Sequence, residues 1–170
     1  MIKLSYEYNQ TSSQLIIEGL PDYSVGQKDT QIGILSSWKL KLIGFPDLEG
    51  KKEHLQSLIS VVIPYARSVL VGQKVTLGSE SCPITIKPNN NKHKLELRSS
   101  QEGVNPINIE LDDAELSDLI RCLDTMISDP RILIQWDLAN EFPILRSISN
   151  VNKGIKNNFL PPVVGGLIIL

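Results

Sequence analysis

The sequence predicts an α+β domain: an antiparallel sheet with two amphipathic helices on one face, built from a strands-then-helix unit that occurs twice. Three observations point there. Short runs alternate with a period of two, as where Trp38, Leu40 and Leu42 are interleaved with Lys39 and Lys41, which puts the apolar set on one face of a strand. Two longer stretches, 49–70 and 112–128, repeat apolar residues at steps of three and four, the spacing of a helix with one buried stripe. Each helix follows a group of strands, which argues against a doubly wound parallel sheet.

The elements follow in order. MIKLSYEY alternates as a strand and lacks the apolar core of a secretory signal. Leu15–Gly19 is a β-rich run, and Ile34–Gly44 is the next strand. Between them PDYSVGQKDTQ reads as a long loop on its Pro, Gly and Asp. A helix is predicted over Glu49–Leu70, with Leu55, Leu58, Ile59, Val62, Ile63, Ala66, Val69 and Leu70 as its stripe. Asp47 and Glu49 would favour its positive end, and Pro64 is expected to kink it or stop its regular part a turn early. The pattern then resets. Pro83–Pro88 and His93–Ser99 form a hairpin around Asn89-Asn90-Asn91, and Ile107–Leu111 is a further strand. The second helix spans Asp112 to Ser128, with Asp112 and Glu115 spaced as a capping box. Leu116, Leu119, Ile120, Leu123, Met126 and Ile127 make its stripe, and Asp129-Pro130 stops it. ILIQW, from Ile132, adds a last short strand. The domain therefore covers 1–145, an Asn- and Lys-rich linker 146–158, and an apolar tail 159–170.

Composition bounds the chemistry. Hydrophobic residues are 41% and charged residues 21% of the 170, enough for a packed core. The net charge of −2 gives no global attraction to nucleic acid or to an anionic bilayer. Cys82 and Cys122 stand 40 apart with no CxxC pair, and His54 and His93 lie outside metal-ligand spacing, so two reduced thiols and no metal are expected. GxSxG is absent, and VGQKVTLG around Gly72 and Gly78 lacks the Lys-Ser/Thr end of a phosphate loop. The acidic groups Asp112-Asp113-Glu115 and Asp47-Glu49 both fall where helices are expected to begin, so capping explains them better than acid–base work. Cys122 borders its helix stripe as a structural thiol, and His54 sits on the polar side of the first helix. No catalytic residue, cofactor or metal is expected.

A second reading is a single-strand nucleic-acid platform. It would need Lys39, Lys41, Lys87, Lys92, Lys94 and Arg98 to converge on one face with Tyr6, Tyr8 or Tyr23. Trp38 and Trp136 could stack on bases, but Trp38 shares a face with Leu40 and Leu42 and belongs to the core. Aromatic residues are only 5%, which argues against such a surface.

The tail FLPPVVGGLIIL has no charged or hydrogen-bonding side chain. Twelve residues are too few for a membrane helix, which needs about 20. It reads as the first part of a truncated span, as an ending that docks in a groove or the interface, or as a strand packed into the domain. Lys153 and Lys156 precede it as cytoplasmic flanks of spans do, and Gly165-Gly166 suits a membrane helix. The anchor reading is therefore preferred, carried by Phe159, Leu160, Val163, Val164, Leu167, Ile168, Ile169 and Leu170.

The order of LIIEG, WKLKLIGFPD leading into LEGKKEHLQSLISVVIPYARSVL, the pair PITIKP and HKLELRSS, and INIELDDAELSDLIRCLDTMISD resembles a cyanobacterial family of unknown function. That family is the one numbered forty-three thirty-five among the domains of unknown function, and the likeness covers about 13–145. The resemblance implies a following membrane helix, which would begin in the tail. It also implies a domain attached to the thylakoid or plasma membrane on its cytosolic side, assisting assembly of photosynthetic complexes. It brings no functional residues. The expected function is thus a non-catalytic interaction or assembly module that binds a protein partner.

Overall fold

A computed structural model describes residues 3–79, 82–99 and 103–136. The α+β class is borne out. Four antiparallel strands, β1 (Leu4–Asn9), β2 (Ser13–Leu20), β3 (Ile34–Leu42) and β4 (Leu48–Gly50), form one sheet in chain order and lead into helix α1 (Lys52–Leu70). A second sheet of β5 (Ile84–Asn89), β6 (Lys92–Leu97) and β7 (Ile107–Leu111) leads into α2 (Asp113–Ser128). The strands-then-helix unit thus occurs twice, and each unit has its own sheet where one sheet was expected.

Register explains both faces. In the first sheet Tyr8, Leu15, Leu40 and Leu48 lie opposite one another and are buried, whereas Glu7, Ile16, Lys39 and Glu49 form the outer row. In the second sheet Ile86, Leu95 and Ile109 make the inner row. β2 shifts register at Glu18/Gly19, where a Cβ on Gly19 would collide with the Ile34 carbonyl and the Ile32 side chain. The β5–β6 hairpin closes over two residues, and Asn90 takes the left-handed conformation (φ 54°) that Asn tolerates.

The helices link the sheets. α1 packs on β5 and reaches β3 and β4, while α2 packs on β1 and β2 and touches β6, β7 and α1. The buried side chains consequently form one core. This geometry revises the expected stripe of α1. With sheet contacts on more than one side, the helix also buries Val61 and Tyr65, which were outside the stripe, while Leu70 is left 85% exposed. Pro64 does not stop the helix, which continues to Leu70. It lacks the N–H that would bond the Ser60 carbonyl, and packing of the buried ring holds the helix together across that gap.

The helix starts divide the expectations. Asp112 caps α2 as read: its Oδ1 accepts from the Glu115 N–H (2.8 Å), and the Glu115 carboxylate accepts from the Asp112 N–H (2.8 Å). Asp47 and Glu49 do not start α1, because Leu48–Gly50 pairs with β3 as an edge strand. Their carboxylates flank Lys39 Nζ instead, at 3.6 and 3.8 Å. The expected strand from Ile132 is a single parallel bridge between Ile132 and Ile32, with Ile132 and Ile134 buried. The linker and the tail, with all eight proposed anchor residues, lie outside the described residues.

Candidate functional site

A mixed-polarity cleft of about 360 Å³ opens between the β4 edge of the first sheet and the β5–β7 side of the second. Trp38, Leu48, Ile84 and Leu97 supply its apolar lining, and Asp47, Glu49, His54 and Arg98 its polar one. Val104 and Ile107 also line it and are 52% and 41% exposed, on the approach to and start of strand β7. Trp38 is fixed by burial and by its Nε1–H, which donates to the Lys51 carbonyl (2.9 Å). It is a core residue that also walls the cleft, as its shared face with Leu40 and Leu42 predicts.

His54 is more than solvated surface. Its Nδ1 accepts from the Lys51 N–H (3.1 Å), so the imidazole caps α1 where no carboxylate does. In the neutral ring this leaves the proton on Nε2, a donor available to the cleft. Arg98 Nε donates to Glu96 Oε1 (2.9 Å), tying two neighbouring charges together.

Two polar clusters tie elements of the fold together. Tyr65 on α1, His93 on β6 and Asp113 on α2 form a chain, with Tyr65 Oη to His93 Nδ1 at 2.8 Å and His93 Nε2 to Asp113 Oδ1 at 2.8 Å. A carboxylate only accepts, so Nε2 carries a proton and Nδ1 receives the Tyr65 hydroxyl. Burial, then the Asp113 charge, raises the Tyr65 hydroxyl above its ordinary value and keeps it a donor. Asp113 was read with the helix start, and there it stands, but it also reaches across to the second sheet. His93 was singled out only for lacking a metal partner. The signal that finds its burial is its place on the apolar side of His93, Leu95 and Leu97.

The second cluster joins β1 to the chain after α2. Tyr8 Oη donates to Asp129 Oδ2 (2.8 Å), Arg131 grips the same carboxylate (Nη2 to Oδ2, 2.6 Å), and the guanidinium lies 4.0 Å from the Tyr6 ring centroid. The Arg131 hydrogen bond, outweighing burial, holds the Asp129 carboxyl at about 2 against an ordinary 3.8. The folded value lies below the unfolded one, so the charged form stabilises the fold above about pH 4 and that contribution is lost as pH falls through about 2. Asp129→Asn is therefore expected to lower Tm at pH 7, with the gap to wild type closing as pH approaches 2; thermal melts across that range check it.

Cys122 is buried, with its Sγ 3.2 Å from the Tyr8 carbonyl, and burial pushes its thiol up to about 11, which favours the protonated, structural form. The six basic residues of the platform reading do not share one sheet. Lys39 and Lys41 lie on β3 of the first sheet, and Lys87, Lys92, Lys94 and Arg98 lie on or just after strands of the second. Tyr8 is buried, Tyr6 donates its hydroxyl to the Thr30 carbonyl (2.6 Å), and Tyr23 sits on a 3-10 turn outside both sheets. No group of three or more His, Cys, Asp or Glu among the described residues is placed to hold a metal.

Two antiparallel sheets, each followed by a helix and welded through one core, define a two-unit α+β domain with an open cleft between the sheets. Residues 6–169 match the sequence model of the family described as "Domain of unknown function (DUF4335)", and the chain belongs to that family. The match takes in the tail as well as the 13–145 stretch on which the resemblance rested. No curated protein matches the chain. Among solved structures, the chain is similar to a protein of unknown function from the DUF155 family of Prochlorococcus sp. NATL2A, at 12% identity over 72% of this chain and 98% of that one, with a TM-score of 0.47.

Proposed function

We propose that the chain is a non-catalytic protein-interaction or assembly module, tethered through its apolar tail to the cytoplasmic face of a membrane, with the thylakoid of a cyanobacterium as the first place to look. The observation that carries the interaction reading is the cleft. Its apolar lining of Trp38, Leu48, Ile84 and Leu97 and the exposed Val104 and Ile107 suit an apolar side chain of a partner protein. The adjoining strand β7 is at the end of its sheet and offers backbone groups for an extended partner segment.

The polar clusters support a docking role over a reactive one. Tyr65, His93 and Asp113 connect α1, β6 and α2, and Tyr8, Asp129 and Arg131 tie β1 to the end of α2. The tether rests on sequence: eight apolar residues from Phe159 to Leu170 behind Lys153 and Lys156. No helix among the described residues is long and apolar enough to cross a membrane.

Membrane flotation of the full chain tests the tether. The wild type is expected with the membranes, and a chain carrying Leu167→Asp and Ile168→Asp in the soluble fraction. Equal flotation of the two would contradict tethering by the tail. Affinity capture with Val104→Asp and Ile107→Asp tests the cleft separately. Both substitutions are exposed and should leave the melt unchanged, while the protein co-purified with wild type is lost.

A further inference from the structure

A second concavity, of about 220 Å³, opens on the outer face of the second sheet and shares only Arg98 with the cleft. Its construction starts with Leu77, which exchanges two 2.9 Å backbone hydrogen bonds with Ile86 and so lays residues 76–78 beside β5. Antiparallel register then sets Gly78 next to Thr85 and Thr76 next to Lys87. Gly78 has φ 91°, and a Cβ there would strike the Ile84 carbonyl, so no side chain can stand over Thr85.

The floor and walls of this hollow have unmet needs. Thr85 Oγ1 is buried with no hydrogen-bond partner, one of two such side-chain oxygens among the described residues. A buried hydroxyl left unpaired is destabilising, because it has given up its water without a replacement. Lys87 and Lys94 face each other directly across β5 and β6, and like charges so placed repel. Among the described residues neither lysine makes an ion pair. Of the nearby carboxylates, Glu96 lines the hollow itself and pairs there with Arg98 (2.9 Å), and Glu110, opposite Lys94 on β7, accepts from the Asn89 amide (2.8 Å).

We propose that this hollow binds an oxyanion, a phosphate or sulfate group. Lys87 and Lys94 supply the positive charge and the Thr85 hydroxyl donates a hydrogen bond at the floor. The bound anion relieves both the lysine repulsion and the unpaired hydroxyl. Free phosphate and the headgroup of an anionic phospholipid present the same chemistry. The inference stands independently of the cleft reading.

The test is amide NMR of the full chain titrated with inorganic phosphate at constant ionic strength. Saturable shifts at Gly78, Thr85, Lys87 and Lys94 are expected, without a counterpart in chloride. The double variant Lys87→Gln/Lys94→Gln should bind at least about tenfold more weakly. Thr85→Val should also weaken binding yet leave Tm equal or higher, because it removes an unpaired hydroxyl and keeps the shape. Vesicles containing an anionic phospholipid distinguish the sources. Perturbation of the same amides by vesicles as well as phosphate marks a headgroup site, and perturbation by phosphate alone marks a site for a soluble anion. Linear, unsaturable shifts, equal effects of chloride, or variants that bind phosphate as wild type does would overturn the proposal.

Discussion

Trp38→Ala is expected to destabilise the domain by about 3–5 kcal/mol, the range for deleting a large buried aromatic side chain. The indole is 3% exposed and stands on β3 opposite Ile17 and Gly50. Its Nε1–H also donates to the Lys51 carbonyl at the start of α1 (2.9 Å), so the substitution removes a wall of the core and a tie between sheet and helix together. Chemical denaturation is the measurement, with the midpoint falling and the slope unchanged. Trp38→Phe keeps most of the volume but loses the tie, and its cost should be clearly smaller. Because Trp38 also lines the cleft, a Trp38→Phe chain that still folds should show weakened partner capture. A full-strength interaction in that variant would place the partner elsewhere.

His93→Ala is the second large effect, at about 2–4 kcal/mol, from a lost buried ring and a stranded Tyr65 hydroxyl. Tyr65 is 1% exposed, and its hydroxyl loses the His93 nitrogen that accepts from it. Tyr65→Phe alone leaves His93 Nδ1 without its donor and should cost about 1–3 kcal/mol. The pair should be non-additive. A double-mutant cycle is expected to give a coupling of about 0.5–3 kcal/mol, and strict additivity would show that the 2.8 Å contact holds nothing together.

Much of the fold was legible because local pattern and tertiary burial agree there. β7 occupies Ile107–Leu111 as read, and α2 begins behind Asp112 with the Glu115 box in place. In these segments a single face is buried, so the two- or three-to-four-residue period carries the information. The β4 edge was missed because three residues, Leu48–Gly50, are too few to show a period, and Glu49 with the preceding Asp47 imitates a helix start. The early stop expected at Pro64 does not occur, for the opposite reason. Its local penalty is real, but α1 buries residues on several sides, and that packing outweighs one missing hydrogen bond.

The sites were less legible than the fold. Nothing in His54 alone says that its ring caps the helix, since the donor is a backbone N–H three residues earlier. Tyr65, His93 and Asp113 come from three elements, separated by 28 and 20 residues in sequence. The hollow at Thr85 depends on the Leu77–Ile86 bridge, which rests on one residue from each segment and leaves no periodic trace. The cleft arises from the spacing of two sheets, and the sequence led us to expect one.

Photo-crosslinking from position 104 of the full chain in its native cell bears most directly on the interaction reading. That account predicts one discrete protein adduct, recovered with the membranes and lost when Ile107→Asp is added beside the probe. Recovery of uncrosslinked chain alone, or of an adduct that ignores Ile107→Asp, would contradict it.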